Sequence, residues 1–284
     1  MEWQLRDRVL TIGTRPLIMG IVNVTPDSFS DGGNYFEHAA AVRHGLELIR
    51  QGADILDVGG ESTRPGAAPV PVDEELRRVL PVISELAAQV AVPISVDTSK
   101  AEVARQTLAA GAHIINDVTA LTGDPAMPEV VRDGLAGVIL MHIQGAPPTM
   151  QLNPSYDNVA ADIHHYLEQR LAALAASGIE RKRMAVDPGI GFGKTLEHNL
   201  DLLANLGKLC SLGRPVCLGV SRKGFINKVL NLPGKVEPGT AGTIGVLLHA
   251  VARGAVQIAR VHDVESTRAA VTMFLTLEER AARP

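Results

Sequence analysis

Cysteine is nearly absent: Cys210 and Cys217 are the only two in 284 residues. That pair supports neither a disulfide framework nor a four-cysteine zinc site, and a reducing cytoplasm is the expected setting. An excess of positive charge is also missing. With 27 Lys and Arg against 31 Asp and Glu the net charge is -4, so the chain carries no basic footprint for nucleic acid. Long apolar runs are lacking as well. The most apolar segment, Thr240 to Ala259, is broken by His249 and Arg253 and falls short of the ~20 uncharged residues of a membrane span. Met1 to Arg8 alternates charged with apolar residues and has none of the apolar stretch of a secretory signal. Two catalytic signatures do not occur either, HExxH and GxSxG, and no His pair stands at helical spacing. Zinc protease and serine hydrolase readings therefore have no support.

What the chain does have is an ordinary globular balance, 46% hydrophobic and 20% charged, in a length that suits one α/β barrel of ~250 residues with modest extras. Short runs rich in Val, Ile and Leu alternate with longer stretches of helical period, the pattern of βαβ units and a parallel sheet. Eight such runs occur: Leu17 to Val24, Ile55 to Val58, Pro93 to Val96, His113 to Asn116, Gly137 to Met141, Met184 to Val186, Val216 to Val220 and Val256 to Val261. Helices are expected near 37-52, 73-90, 100-110, 125-134, 155-177, 196-208, 240-253 and 264-280. Gly52, Gly111, Gly178 and Gly254 stand where a left-handed helix end is wanted. Eight strand-helix units predict a closed (β/α)8 TIM barrel over 16-281, a single domain, with residues 1-13 as a small hairpin beneath it. Two connections are long and polar, Thr25 to Phe36 and Gly59 to Pro71, and both leave C-terminal strand ends, where barrel enzymes build their sites.

The ends of the eight runs carry, in order, Asn23, Asp57 with Glu61, Asp97, Asn116, His142, Asp187, Ser221 with Arg222 and Lys223, and Arg260 with His262. One polar strand end caps a loop; eight on one rim describe a binding site. Asp97, Asn116 and Asp187 are rich in acceptors and suit a flat ring that presents several N–H donors. Lys223, Arg260 and His262 come from strands seven and eight, where barrels commonly bind phosphate, and suit an anion. Asn23, Thr63 and Arg64 lie on the first two loops, beside strand eight in a closed barrel. They either complete that anion site or share a hard cation such as Mg2+ with it. For Asp57 the plainer expectation is orientation of the second loop, and for Thr98 and Ser99 it is N-capping. His142 is expected only to bond nearby backbone, and Lys194 only to solvate its turn.

That turn, DPGIGFGKT over 187-195, ends like a phosphate-binding loop, but the first glycine of that motif would fall on Pro188. It fails as a dinucleotide fingerprint too, since the third glycine would fall on Lys194. Gly189, Gly191 and Gly193 are better read as letting backbone lie close against a flat ligand.

Taken together, GIVNVTPDSFSDGG (20-33), DILDVGGESTRPGA (54-67), SVDTSK (95-100), IINDV (114-118), LMHIQGAPPTMQ (140-151), DPGIGFGK (187-194), SRKGFI (221-226) and RVHDV (260-264) resemble the dihydropteroate synthase family in its own order. The resemblance implies a transferase in which 4-aminobenzoate displaces pyrophosphate from 6-hydroxymethyl-7,8-dihydropterin pyrophosphate. It implies a pterin slot of Asp97, Asn116, Met141, Asp187, Phe192 and Lys223. It implies pyrophosphate held by Asn23, Thr63, Arg64, Arg260 and His262, with Mg2+ on Asn23. Phe29, Thr63, Pro65, Ser221 and Lys223 would shape the aminobenzoate pocket, where sulfonamides compete, and the protein would be a homodimer. A pterin-binding methyltransferase barrel would share Asp97, Asn116 and Asp187 but would have little use for the anion half. Asn227 to Pro238 departs from the family pattern.

Overall fold

The structure is a computed structural model and describes residues 1–25, 33–63, 66–231 and 239–283, with no account of the side chains of 33–37. Two short strands, β1 (Glu2–Gln4) and β2 (Val9–Thr11), pair antiparallel as the expected hairpin. Eight parallel strands follow: β3 (Leu17–Asn23), β4 (Ile55–Gly59), β5 (Ile94–Asp97), β6 (Ile114–Asp117), β7 (Gly137–Met141), β8 (Met184–Asp187), β9 (Cys217–Gly219) and β10 (Ile258–Val261). Their lateral order is β8-β7-β6-β5-β4-β3-β10-β9. A parallel bridge from Val186 to Val216, with the Val186 N–H donating to the Pro215 carbonyl at 2.9 Å, closes β8 onto β9 and makes the sheet a barrel.

Nine α-helices lie among the described residues: α1 (Gly33–Arg50), α2 (Val72–Gln89), α3 (Ala101–Ala109), α4 (Met127–Asp133), α5 (Val159–Ala176), α6 (Leu196–Ala204), α7 (Gly224–Leu230), α8 (Thr240–Ala252) and α9 (Val264–Ala281). Their ends follow local chemistry. Asn158 accepts from the Ala161 N–H at 3.0 Å and so starts α5 four residues later than the period suggests. Thr195 caps α6 and Asp263 caps α9 in the same way. Gly52, Gly111, Gly178 and Gly254 all take positive φ after helices, as expected. Helix α7 was not expected, because seven residues are too few for a helical period to stand out. It takes up the first residues of the divergent stretch 227-238, of which 232-238 lie outside the described residues.

The outward strand faces, with Ile18, Leu56, Ile115, Val138, Leu140, Val186 and Leu218 among them, pack into one core with the helices. The inward face is a second, separate cluster of Met19, Ile55, Ile114, Ile139, Ala185, Cys217 and Ile258. Trp3 and Leu5 of the hairpin segment join that cluster and plug the N-terminal mouth of the barrel, where the Trp3 indole donates to the Arg183 carbonyl at 2.8 Å. Side chains alternate along a strand, so the next inward positions are two residues on. From Ile55, Ile114, Ala185 and Ile258 that step leads to Asp57, Asn116, Asp187 and Arg260. The barrel is thus apolar at its base and polar one layer higher, and the polar layer is the floor of the site.

Candidate active site

The centre of that floor is Arg260. Its Nε donates to Asp57 Oδ2 at 2.6 Å and its Nη2 to Asp97 Oδ2 at 2.7 Å. Asn116 Nδ2 donates to the same Asp57 oxygen at 3.2 Å. Strands β4, β5, β6 and β10 therefore meet in one network. Asp57 is fully buried, while the Arg260 side chain keeps 21% of its surface and that of Asp97 keeps 14%. Burial works against the Arg260 charge, but Asp57 and Asp97 hold its pKa above the ordinary value. For Asp97 burial wins over the pull of Arg260 and, with Asp57 and Glu75 adding repulsion, pushes its carboxyl up to about 7. Asp57 thus anchors Arg260 and Asn116, where only a role for the second loop was expected. The phase of β4 could have revealed it, since Asp57 is one inward step from Ile55.

A second group stands beside the first. Asp187, at the end of β8, is buried and accepts the Gly189 N–H at 2.7 Å. Burial raises its pKa against the attraction of Lys223. Lys223 precedes α7, donates from Nζ to the Ile190 carbonyl, and lies 4.5 Å from the centre of the Phe192 ring. Burial lowers its ammonium to about 8, with Asp187 opposing. Met141 pairs in register with Asp187 and is almost fully buried. Gly219 of β9 lies between Arg260 and Asp187: a Cβ there would stand 3.8 Å from the Arg260 side chain and 4.0 Å from Asp187 Oδ2, an ordinary contact with both.

At the rim, His262 Nδ1 lies 2.9 Å from Ser221 Oγ, and the His262 N–H donates to the same oxygen at 3.2 Å. Asn23 closes β3 opposite Gly59 of β4, and Thr63 stands four residues beyond that glycine. The base of the second loop is fixed by Lys100, which bridges Glu61 to the buried Glu75 of α2, and by the Val70 N–H, which donates to Glu61 at 2.9 Å. Phe29, Arg64 and Pro65 lie outside the described residues.

Acceptors from β5, β6 and β8, an ammonium and a guanidinium thus stand together above the apolar layer of the barrel. Such a set can grip a flat heterocycle by its edge and hold an anion beside it. Two buried side chains that the sequence left aside also belong here: Lys194 and His142 sit 3.1 Å apart behind the Asp187 turn. Nothing in their spacing signals that contact, which depends on how the β8 turn folds against the end of β7.

Comparison with known proteins agrees with this geometry. The model of the pterin binding enzyme family matches residues 19–262, which covers every barrel strand but the first residues of β3. The fold and rim are those of a pterin-binding barrel enzyme. The dihydropteroate synthase of Escherichia coli (strain K12) is 47% identical over 254 residues, 89% of each chain. The structure of Xanthomonas albilineans dihydropteroate synthase with 4-aminobenzoic acid superposes with a TM-score of 0.91 at 48% identity, covering 100% of this chain and 99% of that one. The same enzyme in complex with 7,8-dihydropteroate gives 0.88 at 45% identity, with 100% of both chains covered. The chain belongs to the dihydropteroate synthase family.

Proposed function

We infer that this chain is a transferase that joins 6-hydroxymethyl-7,8-dihydropterin pyrophosphate to 4-aminobenzoate, giving 7,8-dihydropteroate and pyrophosphate. The observation that carries the inference is its full-length likeness, at 48% identity, to a dihydropteroate synthase that holds 4-aminobenzoic acid. The arrangement of the floor supports it. Asp97, Asn116 and Asp187 offer oxygen acceptors at the ends of β5, β6 and β8, suited to the N–H-rich edge of a pterin. Lys223 donates beside Asp187, and Phe192 and Met141 supply apolar surface for the ring.

In the reaction the aniline nitrogen attacks the exocyclic methylene carbon, the C–O bond breaks, and pyrophosphate leaves with the bonding pair. The amine then loses a proton. The reduced pterin ring delocalises positive charge on that carbon, so no protein nucleophile is required. The protein's tasks are to align two reactants and to stabilise charge on the leaving group. Arg260 and His262, with Asn23, Thr63 and Arg64, are the groups proposed for pyrophosphate. Ser221, Thr63 and Lys223, with Phe29 and Pro65, are those proposed for aminobenzoate, where a sulfonamide would compete.

Among the described residues no three His, Cys, Asp or Glu side chains converge to hold a metal ion. Mg2+ takes few protein ligands and many phosphate and water oxygens, and Asn23, whose amide oxygen is a hard donor at the end of β3, is the residue proposed to hold it. Bound there, Mg2+ would help neutralise the charge that develops on pyrophosphate. We also propose a cytoplasmic, single-domain homodimer; exposed Val229 and Leu230 on α7 and Met273 and Leu277 on α9 supply apolar surface for a second copy. The test is release of pyrophosphate that requires both pterin pyrophosphate and 4-aminobenzoate. Release without the acid would mean hydrolysis and overturn the reading.

A further inference from the structure

Lys194 is a lysine with almost no access to water, 3% exposed. Its Nζ donates to the Phe192 carbonyl at 2.9 Å and lies 3.1 Å from His142 Nδ1. No carboxylate among the described residues pairs with it. Burial, with repulsion from Lys223, lowers its pKa to about 7. The facing His142 is itself buried, and burial together with Lys194 lowers its pKa to about 3. The imidazole is therefore neutral, and in the tautomer protonated at Nε2 its Nδ1 accepts from the amine. Aromatic rings fix this histidine: Tyr166 meets it edge-on at 4.9 Å and Tyr156 at a tilt at 5.9 Å. The Tyr156 ring is also 5.9 Å from the Lys194 amine, and its hydroxyl donates to the Gly193 carbonyl at 2.7 Å.

An amine buried without an anion is a costly choice for a core position that a methionine would fill. What it holds explains the choice. The turn from Gly189 to Gly193 is pressed against backbone beyond β7: a Cβ on Gly189 would fall 1.9 Å from the His142 carbonyl oxygen, and one on Gly193 2.3 Å from that of Gln144. Asn199 of α6 ties the turn from the other side, accepting the Gly191 N–H at 2.6 Å and donating to the Thr195 carbonyl at 2.6 Å. The inner edge of the same turn presents the Ile190 carbonyl and the Phe192 ring, the two groups that hold the Lys223 ammonium beside Asp187. Lys194 thus clamps the back of a turn whose front aims a site residue.

We propose that Lys194, with His142 as its acceptor, is a positioning residue of the pterin wall: it sets the glycine turn so that Phe192 and the Ile190 carbonyl direct Lys223 toward the ring that Asp187 binds. The proposal rests on the reading of Asp187 and Lys223 as pterin ligands. It predicts a split between pterin and pyrophosphate binding, because the clamp touches the pterin wall and not the His262 rim.

The test is calorimetry with a non-phosphorylated pterin, and steady-state kinetics, on Lys194→Met, Lys194→Gln and His142→Phe. Lys194→Met should raise the pterin Kd and the KM for pterin pyrophosphate about tenfold or more, since small misplacements of binding groups cost that much. The Kd for pyrophosphate with Mg2+, measured by the same calorimetry, should stay within about twofold, because the His262 rim does not touch the turn. Lys194→Gln, whose amide can still donate to the Phe192 carbonyl, should recover most of the pterin affinity. Should Lys194→Met fail to fold, His142→Phe decides, and it should weaken pterin in the same selective way. A folded Lys194→Met with a lower Tm but unchanged pterin Kd makes the lysine merely structural and overturns the proposal. Equal losses for pterin and for pyrophosphate also overturn it. Wild-type protein that binds no pterin at all refutes the underlying reading of the site, and the proposal with it, which separates the two failures.

Discussion

Asp57→Asn is the most informative single change, because it alters one charge and almost no volume at the centre of the floor. In the structure Oδ2 of Asp57 takes Arg260 Nε at 2.6 Å and Asn116 Nδ2 at 3.2 Å, whereas Oδ1 has no hydrogen-bond partner. The asparagine oxygen can keep the place of Oδ2, so what disappears is charge and not contact. A hydrogen bond to a charged group is worth about 1.5–3 kcal/mol, and breaking a fully buried ion pair costs about 3–5 kcal/mol. Arg260 retains Asp97 and is 21% exposed, so the loss should sit near the lower figures, about 2–3 kcal/mol. That is a sizeable part of the ~5–15 kcal/mol of a typical domain. The Asp57 charge is also one of the influences that raise Asp97, so its removal should let Asp97 ionise at lower pH. Urea unfolding of wild type and variant measures the first effect, and the acid limb of kcat/KM for pterin pyrophosphate measures the second. A loss below about 0.5 kcal/mol with an unmoved acid limb would refute the idea that Asp57 anchors the floor.

Asp187→Asn should weaken binding of a non-phosphorylated pterin by about 1.5–3 kcal/mol, roughly ten- to hundredfold, because an amide replaces a charged acceptor; unchanged affinity in calorimetry would remove Asp187 from the slot. His262→Ala should reduce turnover and pyrophosphate affinity while free pterin affinity stays nearly intact, and a parallel fall in free pterin affinity would contradict the separation of rim from floor. The pH dependence of kcat/KM for pterin pyrophosphate should be bell-shaped. Asp97, raised to about 7, becomes a charged acceptor as pH climbs through that value, and Lys223, lowered to about 8, loses its ammonium as pH climbs through that one. Activity should therefore peak between the two, and a profile flat from pH 6 to 9 would show that neither group titrates in the free enzyme.

The strand ends were legible because a barrel imposes a simple rule: short continuous apolar runs stop at the C-terminal rim, and the polar residues there have few other places to be. Asp97, Asn116, Asp187, Lys223, Arg260 and His262 were named on that ground, and the structure brings them to one face of the barrel. The hairpin at the base was legible for a different reason, the alternation of apolar with polar residues over Trp3 to Thr11. Contacts across the barrel were not. The spacing of 203 residues between Asp57 and Arg260 gives no local sign of their ion pair. Lys194 reads as a solvated turn residue because Tyr156 and Tyr166, which help bury it with His142, come from the α5 region. Helix α7 was missed for its shortness, and the early start of α1 because Gly33 is a poor helix former in a stretch that reads as loop. Phe29 and Pro65 rest on resemblance, and Arg64 on resemblance and its place in the second loop; all three lie outside the described residues.

The most direct measurement is mass spectrometry of the products formed when the purified chain meets 6-hydroxymethyl-7,8-dihydropterin pyrophosphate, 4-aminobenzoate and Mg2+. The account predicts 7,8-dihydropteroate and pyrophosphate in equal amounts; when a sulfonamide replaces most of the aminobenzoate, dihydropteroate should fall, a sulfonamide-pterin adduct should appear, and pyrophosphate should equal the sum of the two. Tight binding of the pterin pyrophosphate with no coupled product under any of these conditions would contradict it, and would leave a pterin-binding barrel that does not catalyse the transfer.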